Sequence, residues 1–210
     1  MSTAEYAGFM ERQYERLKNK EAFDQLLPRD TALIIVDVQK GFDDPIWGRR
    51  NNPQAESNIA RLLEAWRRAG RPLFHIQHRS HEKNSPLNPE SPGFEIKDAV
   101  KPRPGEPVIQ KSVNSAFIGT DLEARLRQKG LKTVVITGLT TDHCVSTTAR
   151  MAGNLGFDTY VVSDATATFD RVGPDGKRYS TEEIHATSLA SLHDEFATVI
   201  DSDGLLRKLQ

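Results

Sequence analysis

The 210-residue chain is 37% apolar and sets 28 lysine and arginine residues against 29 aspartate and glutamate residues, for a net charge of −1. This suits one domain with a sizeable core and offers no basic excess for nucleic acid or an anionic membrane as partner. No apolar run approaches the roughly 20 residues that span a bilayer, no signal peptide is visible, and the single cysteine has no partner for an internal disulfide, so a soluble cytoplasmic protein is expected.

Residues 4–26 are charged and helix-forming, with a broken apolar stripe of Phe9, Tyr14, Leu17, Phe23 and Leu26. They read as one or two helices on the domain surface or on a partner subunit. Residues 1–29 are thus expected to form an N-terminal helical extension, and residues 30–210 the main domain. The first clear strand is 31–37, a continuous apolar run of the kind buried on both faces of a parallel sheet. Ile59, Leu62, Leu63 and Trp66 mark a helix that Gly70 stops. Residues 72–78 read as the second strand.

Residues 79–106, rich in Pro, Ser, Asn and Gly, read as a long functional or mobile loop. A brief third strand, 107–111, ends on Lys111. Residues 121–130 read as a helix capped by Thr120 and ended by Gly130. Strand four is 132–138, and a helix bearing Cys144 runs to about Leu155. The fifth strand is 157–163, followed by a polar loop at 170–180, a helix at 181–193, a last strand at 196–200 and a terminal helix capped by Asp201 or Ser202. Such alternation predicts a three-layer α/β/α domain with a mostly parallel, Rossmann-like sheet of about six strands.

In such folds ligands sit beyond the carboxyl ends of the strands, where the strand order reverses. Asp37, Lys111 and the turn before Cys144 all fall at strand C-terminal ends. Each alone has an ordinary reading. A lone cysteine is more often a small buried hydrophobe, a strand-ending aspartate often caps a turn, and a strand-ending lysine is usually solvated. Three chemically distinct groups on one sheet edge shift the balance toward a site. No Gly-x-Gly-x-x-Gly, P-loop or His-Glu-x-x-His pattern competes for it.

Four segments resemble the isochorismatase-like cysteine hydrolases, the superfamily that includes nicotinamidases and N-carbamoylsarcosine amidase. They are Ala32-Leu-Ile-Ile-Val-Asp-Val-Gln-Lys-Gly-Phe42, Lys111-Ser-Val-Asn-Ser-Ala-Phe117, residues 135–150 around Thr140-Thr-Asp-His-Cys144, and residues 156–166, continued by His185 and Leu189. The resemblance covers roughly residues 30–200 in order, and its specificity lies in the set.

The resemblance implies an Asp-Lys-Cys triad on Asp37, Lys111 and Cys144. It also implies an oxyanion hole of the Thr140 and Cys144 backbone N–H groups, a non-proline cis peptide at Leu139-Thr140, and a homo-oligomer. The chemistry of these residue types agrees. A thiolate attacks, while a free thiol of pKa ~8.5 is mostly protonated at neutral pH. A helix start and Lys111 would both favour the anion, and Asp37 would move the proton.

Many nicotinamidases of the superfamily carry an Asp-x-His and a further His that bind a metal. The loop after the first strand has no Asp-x-His, which disfavours a classical nicotinamidase and a metal. Asp43, Asp44, His78 and His81 are weaker metal candidates, better read as solvated loop residues. No cofactor is expected, and the partner is a small-molecule substrate.

The family often has Thr-Asn where this chain has Thr141-Asp142. Asp142 would oppose a thiolate unless it points away, and His143 earns no role. Phe42, Trp47 and Phe117 are candidates for an apolar substrate wall, or ordinary core aromatics. Arg49, Arg50 and Arg79 are candidate carboxylate holders. The expected activity is hydrolysis of an amide or carbamoyl-type C–N bond through a Cys144 thioester. The alternatives are an isochorismatase-type vinyl-ether hydrolase, whose chemistry does not require the cysteine, and a non-catalytic binding or redox-sensing domain on the same fold.

Overall fold

The apolar run after Thr31 forms β1, Ala32–Val36, with every residue buried. The computed structural model describes residues 26–209, and in it β1 is one of the two central strands of a six-stranded sheet. The others are β2 (Leu73–His78), β3 (Val108–Lys111), β4 (Thr133–Leu139), β5 (Asp158–Ala167) and β8 (Thr198–Ile200), in the order β3-β2-β1-β4-β5-β8. All five pairings are parallel.

Because strand side chains alternate between faces, one run feeds two cores. Leu33 and Ile35 pack on one side with the helix α1 (Ala55–Arg68), which contributes Ile59, Leu62, Leu63 and Trp66. Ala32, Ile34 and Val36 pack on the other with α2 (Leu122–Gln128) and α3 (Ser146–Asn154). Two further helices, α4 (Thr181–Leu192) and α5 (Ser202–Arg207), add Leu192 to the second core and Leu205 to the first. The result is the expected three-layer α/β/α arrangement. The fully buried Trp66 anchors α1 by donating its indole N–H to the Thr31 carbonyl at 3.1 Å.

The chain fills one half of the sheet from β1 outward through β2 and β3, then returns to β4 and fills the other. The reversal therefore lies between β1 and β4, whose carboxyl ends border a natural crevice. The two strands approach closely there. Gly138 has φ +115° next to a register shift in the β4–β5 pairing, and a Cβ on it would lie 1.9 Å from the Val36 carbonyl oxygen. Only glycine fits that contact.

Several boundaries differ from the sequence reading. Strand β5 continues four residues past Ser163 to Ala167, because Thr166 and Ala167 pair with Gly138 and Leu139 beyond the shift. The 170–180 loop contains a small antiparallel hairpin, β6 (Arg171–Val172) and β7 (Arg178–Tyr179). The N-cap position of α2 is Asp121, whose side chain makes no cap hydrogen bond; the Thr120 hydroxyl accepts the Leu122 N–H at 3.4 Å and donates to the Ala116 carbonyl.

Residues 79–106 are not structureless. They hold 3-10 turns at Pro92–Phe94 and Asp98–Val100. They are tied to the segment after β1 by Lys40 N–H to Glu95 O at 2.8 Å and Lys97 N–H to Val38 O at 2.9 Å. The helices expected over residues 4–26, and their proposed interface role, fall outside the described residues apart from Leu26. Residues 26–29 are not helical, and Leu27 is buried with its N–H on the Lys208 carbonyl. Among the described residues, no helix is long and apolar enough to cross a membrane.

Candidate active site

Asp37 follows β1 directly with φ 51°, a left-handed conformation that aspartate tolerates better than most residues. Lys111 ends β3, paired in register with His78, which ends β2. In-register neighbours of parallel strands share a face, so the two side chains meet. Cys144 lies in a π-helical turn, Thr141–Val145, that links β4 to α3. It is therefore not in the first turn of a regular α-helix, as the sequence pattern predicts, but in a wider turn just before one.

These elements bring the three sequence-predicted catalytic residues together. The Lys111 ammonium lies 2.6 Å from Asp37 Oδ2, with both side chains fully buried, and donates to Cys144 Sγ at 3.3 Å. A third contact runs to His78 Nδ1 at 3.1 Å. The approach to Asp37 is off the direction of a regular hydrogen bond, and neither carboxylate oxygen has a hydrogen-bond partner. Both keep lone pairs free for a proton. The thiol itself faces Asn114 Oδ1 at 3.8 Å.

The charge balance differs from the expected one. Burial pushes the Cys144 thiol far above its ordinary range, the Asp37 carboxylate pushes the same way, and Lys111 opposes them without prevailing. These forces favour a neutral thiol over a preformed thiolate. The local reason is that Cys144 is only 7% exposed and lies between the Asp37 carboxylate and the Lys111 ammonium, so neither field wins and desolvation decides.

Asp142, the expected source of repulsion, turns away. It accepts from Arg171 Nε at 2.8 Å, and Thr168 Oγ1 donates to its other oxygen. Burial works against its charge, but those bonds outweigh it and hold the carboxyl below its ordinary value. Asp142 thus anchors the turn to the β6 hairpin. Thr141 is fixed by a 2.9 Å contact between its hydroxyl and His185 Nδ1.

The Leu139–Thr140 peptide bond is cis. The Thr140 carbonyl accepts from His143 N–H and Val145 N–H at 3.2 and 3.1 Å, which closes the turn around Cys144. The Thr140 hydroxyl is buried without a hydrogen-bond partner.

The aromatic candidates do not form one wall. Phe42 and Trp47 lie 5.3 Å apart between ring centroids, and Phe169 completes their cluster at 6.2 and 5.9 Å. Phe117 stacks at 5.9 Å on Phe157 in the other core, because the segment after β3 folds under that side of the sheet. Of the arginines, Arg49 is committed to Glu182 and Asp170, and Arg50 to Glu56. Arg79 has no ion pair among the described residues.

The four weaker metal candidates are not gathered. Asp43 pairs with Lys97, Asp44 caps the turn at Ile46, and His81 is exposed. The donor atoms of Asp37, His78 and Cys144 do lie within 4.8 Å of one another. The Lys111 ammonium already contacts all three, so the chain supplies its own cation where a metal would sit. Asn114 is a site residue that sequence reasoning assigned no role, and His78 one that it weighed only as a weak metal candidate. Asn114 lies within the Lys111–Phe117 segment, and the only signal for His78 is its place at a strand end beside Lys111.

A doubly wound parallel sheet with a buried aspartate, lysine and cysteine around its switch point defines a cysteine-bearing α/β enzyme of the hydrolase type. The isochorismatase domain model matches residues 31–204, and the chain belongs to the isochorismatase family as a hydrolase. It is 56% identical over 175 residues to the uncharacterized isochorismatase family protein YrdC of Bacillus subtilis, covering 83% of this chain and 94% of that one. It is 30% identical over 192 residues to nicotinamidase 3 of Arabidopsis thaliana, covering 85% and 88%. A crystal structure of an isochorismatase-family hydrolase from Chromobacterium violaceum superposes with a TM-score of 0.86 at 48% identity, covering 88% and 96%.

Proposed function

We propose that the protein hydrolyses a non-peptide C–N bond, of amide or carbamoyl type, in a small molecule through a thioester on Cys144. The observation that carries this reading is the Lys111 ammonium held at 2.6 Å from Asp37 and 3.3 Å from Cys144 Sγ. The amidase name of the Arabidopsis relative supports the same bond class.

Because the resting thiol is neutral, its proton leaves as the sulfur attacks. Asp37 takes that proton while Sγ bonds to the substrate carbonyl carbon. The carbonyl oxygen becomes an oxyanion, received by the Thr140 and Cys144 backbone N–H groups; the Thr140 N–H makes no hydrogen bond among the described residues. Such donors act where charge develops. On collapse the C–N bond breaks, Asp37 returns its proton to the leaving amine, and an acyl thioester remains. Water then attacks, giving a proton to Asp37. The C–S bond breaks, the acid departs, and the sulfur regains the proton.

Lys111 holds Asp37 in place and faces the sulfur as negative charge passes over it. A redox-sensing role fits less well, since sensor cysteines are exposed and acidic, whereas this thiol is buried and its pKa raised.

The test is mass spectrometry of the intact protein after exposure to a panel of small amides, with isochorismate included. An acyl adduct on Cys144, and its loss together with turnover in Cys144→Ala, is the expected result. Full turnover of Cys144→Ala on an amide would defeat the mechanism, and turnover of isochorismate alone would defeat the bond class.

A further inference from the structure

The Lys111 ammonium has three N–H donors and three partners. Two of them, Asp37 and Cys144, belong to the reaction above. The third is His78 Nδ1 at 3.1 Å. An ammonium on a flexible four-carbon stem has no intrinsic direction, so something must hold its third donor if the other two are to stay aimed.

We propose that His78 is a positioning residue for the hydrolysis, accepting a hydrogen bond at Nδ1 from Lys111 and so fixing the ammonium between Asp37 and the Cys144 sulfur. This rests on the reading of Asp37, Lys111 and Cys144 given above. It requires His78 to be neutral, with its proton on Nε2.

Three observations support the assignment. His78 and Lys111 are Cα partners in the β2–β3 pairing, and Arg79 N–H bonds the Lys111 carbonyl at 2.7 Å. Their relative position is therefore set by the sheet. The His78 backbone is itself clamped on both sides by one buried side chain: Gln39 Oε1 accepts its N–H at 2.8 Å, and Gln39 Nε2 donates to its carbonyl at 3.0 Å.

The charges around the ring also agree. Burial lowers the affinity of His78 for a proton, and Lys111 and His81 act the same way against the opposing pull of Asp37. A protonated ring would set two cations face to face. A neutral ring carries one N–H and one lone pair, and the ammonium, which can only donate, requires the lone pair at Nδ1.

Two substitutions separate positioning from packing. His78→Leu keeps bulk and removes the acceptor. His78→Asn loses the ring but places an amide oxygen near the Nδ1 position. With Lys111 unfixed in His78→Leu, the sulfur loses part of the stabilising effect of the Lys111 cation. Cys144 alkylation by iodoacetamide at pH 9 should then slow about tenfold, the effect of a one-unit rise in thiol pKa. His78→Asn should alkylate within about twofold of the parent chain.

Nitrogen-15 NMR of histidine-labelled parent protein reads the tautomer directly, whether or not the variants fold. The expected signal at pH 7 is an unprotonated Nδ1 and a protonated Nε2. A protonated Nδ1, alkylation of His78→Leu at the parental rate, or equal slowing in both variants would overturn the assignment. Absence of an acyl adduct on Cys144 would instead overturn the hydrolase mechanism, leaving the tautomer and alkylation results intact.

Discussion

Asp37 acts on the thiol in two opposing ways. As a buried anion it raises the pKa of Cys144, yet in the proposed mechanism it is the base that removes the proton. Asp37→Asn separates these effects. With the carboxylate gone and Lys111 still present, the thiol becomes more acidic, so iodoacetamide should alkylate Cys144 faster at neutral pH. Turnover should nevertheless fall by about 100- to 10,000-fold, the range for losing a general acid–base group. Stopped alkylation and steady-state assays on the same preparation check the pair, and slower alkylation in this variant would remove Asp37 from the electrostatic account. Lys111→Met should act in the reverse sense, slowing alkylation. It should also lower stability by about 3–5 kcal/mol in urea titrations, because Asp37 is left buried without its counter-charge. That Asp37, Lys111 and Cys144 would share one sheet edge was legible in the sequence, since all three close apolar strand runs or follow one. The protonation state was not, because it depends on burial and on a distance between residues over 70 positions apart in the case of Asp37 and Lys111. The place of His78 beside Lys111, as opposed to its reading as a weak metal candidate, was hidden for the same reason: a strand-ending histidine carries no pattern until its neighbour in the sheet is known.

Elements differ in how plainly their residues announce them. The buried strands β1 and β4 are unbroken apolar or β-branched runs, and α1 carries its apolar stripe at helical spacing. The end of β5 was missed because Thr166 and Ala167 pair only after a register shift, and the β6–β7 hairpin because its two-residue strands carry no period. The 79–106 connection was read as loose because its fastenings are backbone bonds and ion pairs to distant segments. Glu56 in the first turn of α1 is the hub of one fastening, accepting from Arg50 at 2.6 Å and from Lys97 at 2.6 Å. Lys97 in turn reaches Asp43 after β1. Burial opposes the Glu56 charge, but the Arg50 and Lys97 hydrogen bonds outweigh it and hold the carboxyl at about 2. A depressed carboxyl stabilises the fold above its unfolded pKa, and that contribution disappears as pH falls through the folded value. The contribution is thus full above roughly pH 5 and is lost toward pH 2, with an upper size of about 3 kcal/mol. Glu56→Gln should therefore lower stability at pH 7 and flatten its dependence on pH in that acid window. Urea midpoints measured from pH 7 to pH 3 check this; parallel curves for the two proteins would remove Glu56 from the acid response.

At the scale of the whole molecule, one sheet serves two cores, and the proposed site sits where the sheet reverses. Single chains above about 150 residues often unfold through intermediates, so cooperativity here is not given by size. It follows instead from the way β1 and β4 are built. Each contributes alternate residues to both cores, as with Leu33 and Ile35 against Ala32, Ile34 and Val36. Loss of either helical layer exposes one full face of the strands that support the other. The chain contains two reporters on opposite sides of the sheet. The two tryptophans, Trp66 fully buried under α1 and Trp47 packed against the same first core, report one side, and Cys144, the one thiol, is buried in the second core. If the sheet couples the layers, Trp fluorescence and pulse alkylation of Cys144 should report the same urea midpoint and the same slope, the standard mark of a two-state transition. A thiol exposed at lower urea than the tryptophans would mean that the α2–α3 layer opens as a separate unit. The sheet would then not couple the surroundings of Cys144 to the α1 side, and the switch-point crevice would owe its geometry to local contacts in the Thr141–Val145 turn alone.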